Sequence, residues 1–148
     1  MPVQATQMYN SGYEALMADG IFDADEFKWV LADDDYDPQL THTTGADIGT
    51  DAITTGDLAP ISATSVNIAT ISTAGYFQTA DVSMSYTTGL DSYRYLVLTR
   101  TGGVAYSNSA ELIFYIDLRG GTGNDTVVSG ESVNVNMTNN GWFKMVQS

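Results

Sequence analysis

The chain has 148 residues, 43% of them apolar and only 16% charged, which places it among globular rather than disordered sequences. Its 18 acidic side chains face only 5 basic ones, for a formal charge of -13, so it lacks the clustered cations that nucleic acid or an anionic membrane surface would require. There is no cysteine, which excludes disulfides, zinc–thiolate centres and thiol nucleophiles, and no apolar run approaches the roughly 18 residues of a membrane-crossing helix.

The opening "MPVQATQMYN" joins no basic region to an apolar stretch, so no secretory signal is expected. Next, Met8, Tyr9, Tyr13, Leu16 and Met17 recur at spacings that predict one short amphipathic helix over 6–19, ending near Gly20. "EFKWVLA" (26–32) alternates Phe27, Trp29 and Leu31 against Lys28 and Val30, as a half-buried strand does. The acidic "DDDYDP" after it reads as a solvated turn, since carboxylates and proline do not sit in a strand ladder. Residues 33–63 form a long Thr-, Gly- and Asp-rich excursion with isolated Ile and Leu, and an excursion of this length is expected to be functional or mobile.

The remaining segments are strand-like: 65–71, 81–86, 93–100, 111–118, 132–137 and 142–146. "SVNVNM" alternates most cleanly, with Val133, Val135 and Met137 on one face, whereas "YRYLVLT" and "LIFYIDL" are almost continuously apolar and should be the central, doubly covered strands. Turn signals such as "RTGG", "SNS", "RGGTGND" and "TNNG" separate them. About seven strands and one leading helix predict a mainly β, single-domain sandwich or flattened barrel, jelly-roll-like in character, over residues 1–148.

Motifs for chemistry are few. "GGTGNDTVV" (120–128) fits the nonapeptide calcium repeat, but in that architecture neighbouring copies share each ion, and this chain has one copy. Calcium takes about six to eight oxygens, so a plain Gly/Asn/Asp loop is the expected reading. The seven carboxylates between Asp23 and Asp37 lack the glycine and glutamate of an EF-hand and read as a solvated acidic edge. His42, the one histidine, has no nucleophile elbow to serve. Tyr76, Phe77, Tyr86, Tyr93 and Tyr95 fit a sugar platform or an interface less well than a core and its rim. No catalytic, cofactor-binding or metal-ligating residue is assigned.

The order of segments resembles a family of small tailed-phage virion proteins, encoded beside capsid genes. The matching stretches are "YEALMADGIF", "WVLADDDYDPQLTHTTGADI", "GYFQTADVSMSY", "YLVLTRTGGVAYSNSAELIFYIDL" and "NNGWFKM". They fit the family's "DxxYxP…THxxxxD", "vFxxxDVxxs" and "LiaYID" patterns, most distinctively at "YDPQLTH" and "LIFYID". The resemblance implies a non-enzymatic capsid decoration (cement) protein on the outer surface of the virion, made in the host cytoplasm and bridging subunits of the major capsid protein. A homo-oligomer, a trimer at three-fold positions, would match closed shell symmetry. The contact residues expected on this reading are Tyr9, Tyr13 and Leu16 of the helix, with Tyr36, Leu40, Ile48, Ile53, Leu58 and Ile61 of the excursion. The alternative is a tail or fibre component that binds host surface glycans. No cofactor, nucleic-acid or membrane partner is expected.

Overall fold

The computed structural model describes residues 5–19, 26–71, 74–87, 90–119, 125–128, 130–137 and 142–145. The protein is mainly β, with antiparallel sheets and one helix longer than a single turn. Its centre is a five-stranded sheet in the order β1 (Ala5–Met8), β9 (Glu111–Asp117), β8 (Tyr95–Arg100), β2 (Phe27–Ala32), β3 (Ile61–Ser62). The two nearly continuous apolar runs are β8 and β9. They pair with each other from Tyr95 opposite Asp117 to Arg100 opposite Glu111 and are buried on both faces, as their lack of alternation predicts.

One face of this sheet packs on three smaller ones. They pair β12 (Phe143–Met145), β5 (Ala74–Gln78) and β4 (Asn67–Ile71); β11 (Ser132–Val135) with β6 (Val82–Ser85); and β10 (Asp125–Val128) with β7 (Leu90–Tyr93). Period-two patterning places Val82 and Met84 of β6, and Val133 and Val135 of β11, inside, while Ser83, Ser85, Ser132 and Asn134 face out. The inner layer is aromatic: Trp29 lies edge-on to Phe114 and to Trp142, at 5.6 and 5.5 Å between ring centres, and Phe77 lies edge-on to Phe27 and Phe114. The Trp142 indole N–H, buried there, donates to Thr79 Oγ1 at 2.9 Å, so the tryptophan brings no unpaired donor into the core.

The opposite face is also covered, which the sequence reading of β2 missed. That strand was expected to be half-buried, yet Val30 and Ala32 are as fully enclosed as Phe27, Trp29 and Leu31. Tyr9, Tyr36 and Ile48 pack there with Ala32, Tyr95, Val97 and Leu112. With Tyr36, Ile48 and Ala52 on this face and Ile53, Leu58, Ile61 and Ala63 against the core on the other, residues 33–63 are not a free excursion. They carry α2 (Gly45–Ile48), 3-10 turns at Gly49–Asp51 and Gly56–Leu58, and β3. Backbone bonds stitch this layer down at both ends: Leu112 N–H to Thr43 O and Gly45 N–H to Ala110 O beside β9, and Ile53 N–H to Leu31 O beside β2.

Two further expectations are corrected. The helix predicted over 6–19 is a strand followed by a shorter helix, α1 (Asn10–Asp19). Residues 5–8 pair with 114–117, so Met8 and Tyr9 enter the cores on opposite sides of the sheet, as consecutive strand residues do. Likewise the single strand expected over 93–100 is broken at Arg94 into β7 and β8, which belong to different sheets. Arg94 holds the break: its N–H donates to Ala32 O, its carbonyl accepts from Leu118, and its guanidinium grips both oxygens of Asp117 at 3.2 and 2.9 Å. The nonapeptide lies outside the described residues at 120–124, and its remainder, 125–128, is β10.

How α1 docks follows from β9. Pairing with β8 passes from Leu98–Phe114 to Thr99–Leu112 and skips Ile113, a β-bulge that exposes the Ile113 carbonyl to the incoming chain. Tyr9 N–H bonds that carbonyl at 3.0 Å, and Ser11 Oγ bonds Leu112 O at 2.7 Å. A Cβ at Gly12 would lie 2.0 Å from Ile113 O, so only glycine admits this approach. Among the described side chains, the helix thus docks through Ser11, Gly12 and Ala15, small residues, while Tyr13 of the expected apolar stripe faces out.

Candidate functional site

The layer over the central sheet concentrates the polar side chains that the sequence singles out. Tyr36, inside it, has its hydroxyl 2.7 Å from that of Tyr9 and 3.2 Å from His42 Nδ1. The Gln39 backbone N–H also points at Nδ1, at 3.5 Å, and a backbone N–H can only donate. Nδ1 is therefore an acceptor, and the direction of the chain follows: Tyr9 donates to Tyr36, and Tyr36 donates to His42. Burial pushes both phenols up, Tyr36 to about 12 and Tyr9 well above the ordinary range, so both stay protonated. His42 seats the turn over residues 36–42 and is half-buried. Among the described residues, neither a serine nor a threonine hydroxyl bonds its ring.

Asp47 performs a similar service at the start of α2. Its Oδ2 accepts from Thr43 N–H at 2.8 Å and Thr44 N–H at 3.1 Å, and these bonds hold its carboxyl below the usual carboxylate range. Tyr36, His42 and Asp47 belong to the motif stretches of the sequence resemblance. Here all three maintain the covering layer.

Asp51 comes beside Asp33 and Asp35, three carboxylates that each place one oxygen within 4.8 Å of the others. Spacing along the chain did not suggest Asp51, which arrives because Asp33 N–H bonds its carbonyl across the layer. Asp35 N–H caps Asp33 Oδ1 at 3.0 Å. Burial first, then the charges of Asp51, Asp35 and Asp34, raise the Asp33 carboxyl, even against the lowering by that Asp35 bond. Three oxygens are at most half of the shell that calcium takes, about six to eight. The trio is a strained acidic corner.

The structure divides the nine expected contact residues. Tyr9, Tyr36, Ile48 and Leu58 are buried in this chain's own core, at 0 to 2% exposure, so they are corrected as surface contacts. Their apolar area is already spent on the central sheet. Ile53 and Ile61 are partly buried against the core, and the Leu16 side chain lies outside the described residues. Tyr13 and Leu40 remain open, at 53% and 45% exposure. The backbone at Leu40 meets the start of α1, where Asn10 N–H donates to Leu40 O at 2.9 Å, and Tyr13 lies one turn further along that helix. Among the described residues Val104 is the only other exposed large apolar side chain. The sugar platform also fails as a platform, because Phe77, Tyr86, Tyr93 and Tyr95 are all buried and the Tyr76 side chain lies outside the described residues.

A hollow of about 270 Å³ opens where the covering layer does not close over β2. Lys28 stands in it, with Thr54, Ala59 and Pro60 on one side and Ala105 and Tyr106 of the β8–β9 connection on the other.

The class defined by these features is an antiparallel β protein with a doubly covered central sheet, a strongly acidic composition and, among the described residues, three exposed large apolar side chains. No protein-family model, curated protein or solved structure matches the chain.

Proposed function

We propose that this protein is a structural component of a tailed-phage particle, a capsid decoration protein that binds the outside of the head and bridges subunits of the major capsid protein. The observation that carries the reading is the exposure of Tyr13 and Leu40, on a body whose other large apolar side chains, Val104 apart, are turned inward among the described residues. Exposed aromatic and aliphatic side chains among polar neighbours are the usual anchors of a protein–protein contact. The segment order of the sequence supplies the identity of the partner. The charge of -13 supports an outer position, because packaged DNA would repel this chain. Burial of an interface of about 1,600 Å² at each of many equivalent sites would stabilise the shell by mass action.

The test is copy number in purified particles, with binding of the isolated protein to undecorated heads. Copies in proportion to capsid subunits, and binding lost in Tyr13→Asp and Leu40→Asp without loss of folding, are the expected results. A few copies per particle with loss of adsorption when the protein is blocked would instead select the tail or fibre alternative. Undiminished binding by both variants would remove the Tyr13–Leu40 contact.

A further inference from the structure

Lys28 is out of keeping with its surroundings. It sits on an inner strand of the central sheet, with Thr99 paired on one side and Ser62 on the other, so its Cα is fixed on rigid scaffold. Its ammonium has 18 acidic side chains in the same chain to choose from, yet it forms no ion pair with a described residue. Its one side-chain bond is to Ser62 Oγ, at 2.6 Å, which leaves two N–H donors directed elsewhere. The two arginines nearest the ends of β8 are treated differently: Arg94 pairs with Asp117 and Arg100 with Glu26.

The hollow that Lys28 lines has mixed walls. Ala59, Pro60 and Ala105 are apolar, Thr54 brings a hydroxyl, and Tyr106 brings a ring whose own hydroxyl is tethered to Gly45 O at 3.4 Å. The volume of about 270 Å³ falls just under the range of about 300–1,000 Å³ for drug-sized ligands, which suits a single ring. A lysine anchored on a rigid strand, a hydroxyl and a half-buried aromatic side chain around a one-ring space match a carboxylate on a hydroxylated, partly apolar ring.

We infer that the hollow over Lys28 is a binding site for a small sugar acid of hexuronate type, with the ligand carboxylate on Lys28 Nζ and a ring face against Tyr106 and Pro60. The site does not depend on the capsid reading, since it lies at the open end of the covering layer and involves neither Tyr13 nor Leu40. A sugar acid carries charge of the same sign as the protein, so long-range repulsion slows its approach and added salt weakens the contact to Lys28 itself.

The experiment is titration of the full chain with glucuronate, followed by amide chemical shifts, with glucose and acetate as separate arms. Saturable millimolar binding of glucuronate is expected, with shifts grouped at residues 28, 54, 59 and 105–106. Glucose, lacking the carboxylate, and acetate, lacking the ring, should each bind about tenfold more weakly. Lys28→Met should abolish the preference for glucuronate over glucose. Ala105→Trp, at an exposed loop position, fills the hollow and leaves Lys28 in place, so it should abolish binding even if Lys28→Met fails to fold. Equal binding of glucuronate and glucose, unchanged binding by Ala105→Trp, or no saturable shift at all would overturn the site and leave Lys28 as a solvated lysine extended along an apolar wall.

Discussion

Gly12→Ala is the sharpest perturbation of the way α1 meets the sheet. The added methyl would stand 2.0 Å from Ile113 O, 2.7 Å from its carbonyl carbon and 2.9 Å from its Cα, all of them backbone atoms of a paired strand. None of these can rotate away, so the first turn of the helix must retreat by about 1 Å to restore an allowed contact. That retreat stretches Tyr9 N–H to Ile113 O, now 3.0 Å, and Ser11 Oγ to Leu112 O, now 2.7 Å. Loss of two such bonds, with the Ser11 hydroxyl left buried, costs about 2–4 kcal/mol. Alanine returns about 1 kcal/mol through its higher helix propensity. The net expectation is a destabilisation of about 1–3 kcal/mol, against a change of about 0.5 kcal/mol or less for the exposed control Glu14→Ala. Urea unfolding of both variants at constant m-value measures it. A Gly12→Ala protein as stable as the wild type, or more so, would refute the close approach of α1 to β9 and the bulge argument with it.

Other expectations concern the covering layer. Tyr36→Phe should destabilise more than Tyr9→Phe, by about 1–3 against about 1 kcal/mol, because it strands the buried Tyr9 hydroxyl, while Tyr9→Phe leaves Tyr36 its bond to His42. In denaturant titrations the double variant should cost less than the sum, and additivity would contradict the chain Tyr9 to Tyr36 to His42. Asp47→Ala should cost about 1 kcal/mol at neutral pH through lost capping. The Asp47 carboxyl lies below its unfolded value, so its contribution is complete above the ordinary carboxylate range and fades as pH falls through that range toward the folded value. Thermal melts should therefore show the gap between variant and wild type closing in acid. Asp33 has the opposite sign: its folded value is raised, so its ionisation weakens the fold and the wild type regains stability as pH falls toward the ordinary range. Asp33→Asn, which keeps an acceptor for Asp35 N–H, should gain about 0.5 kcal/mol or less at neutral pH. A loss at neutral pH would show that Asp33 is held as an anion by something the trio binds.

Much of the fold is legible in local pattern. A strand buried on both faces has no polar side to show, so the continuous runs of β8 and β9 announce the centre of the sheet. A strand buried on one face must alternate, so Val82 and Met84, like Val133 and Val135, point inward where their spacing places them. The class of fold needs only these periodicities, because each reports on its own strand.

What the pattern could not reveal depends on partners distant along the chain. Residues 5–8 have helix-like spacing but pair with 114–117, and hydrogen bonds to an edge more than a hundred positions away outweigh a weak local preference. Residues 33–63 look like a loop because their apolar members are sparse, yet Tyr36 and Ile48 help to cover one face of the sheet and Leu58 joins the core on the other. For the same reason four of the nine expected contact residues proved to be interior. Asp51 beside Asp33, and Lys28 in its hollow, arise only when the layer folds over β2, since proximity there is set by packing and not by spacing in the chain.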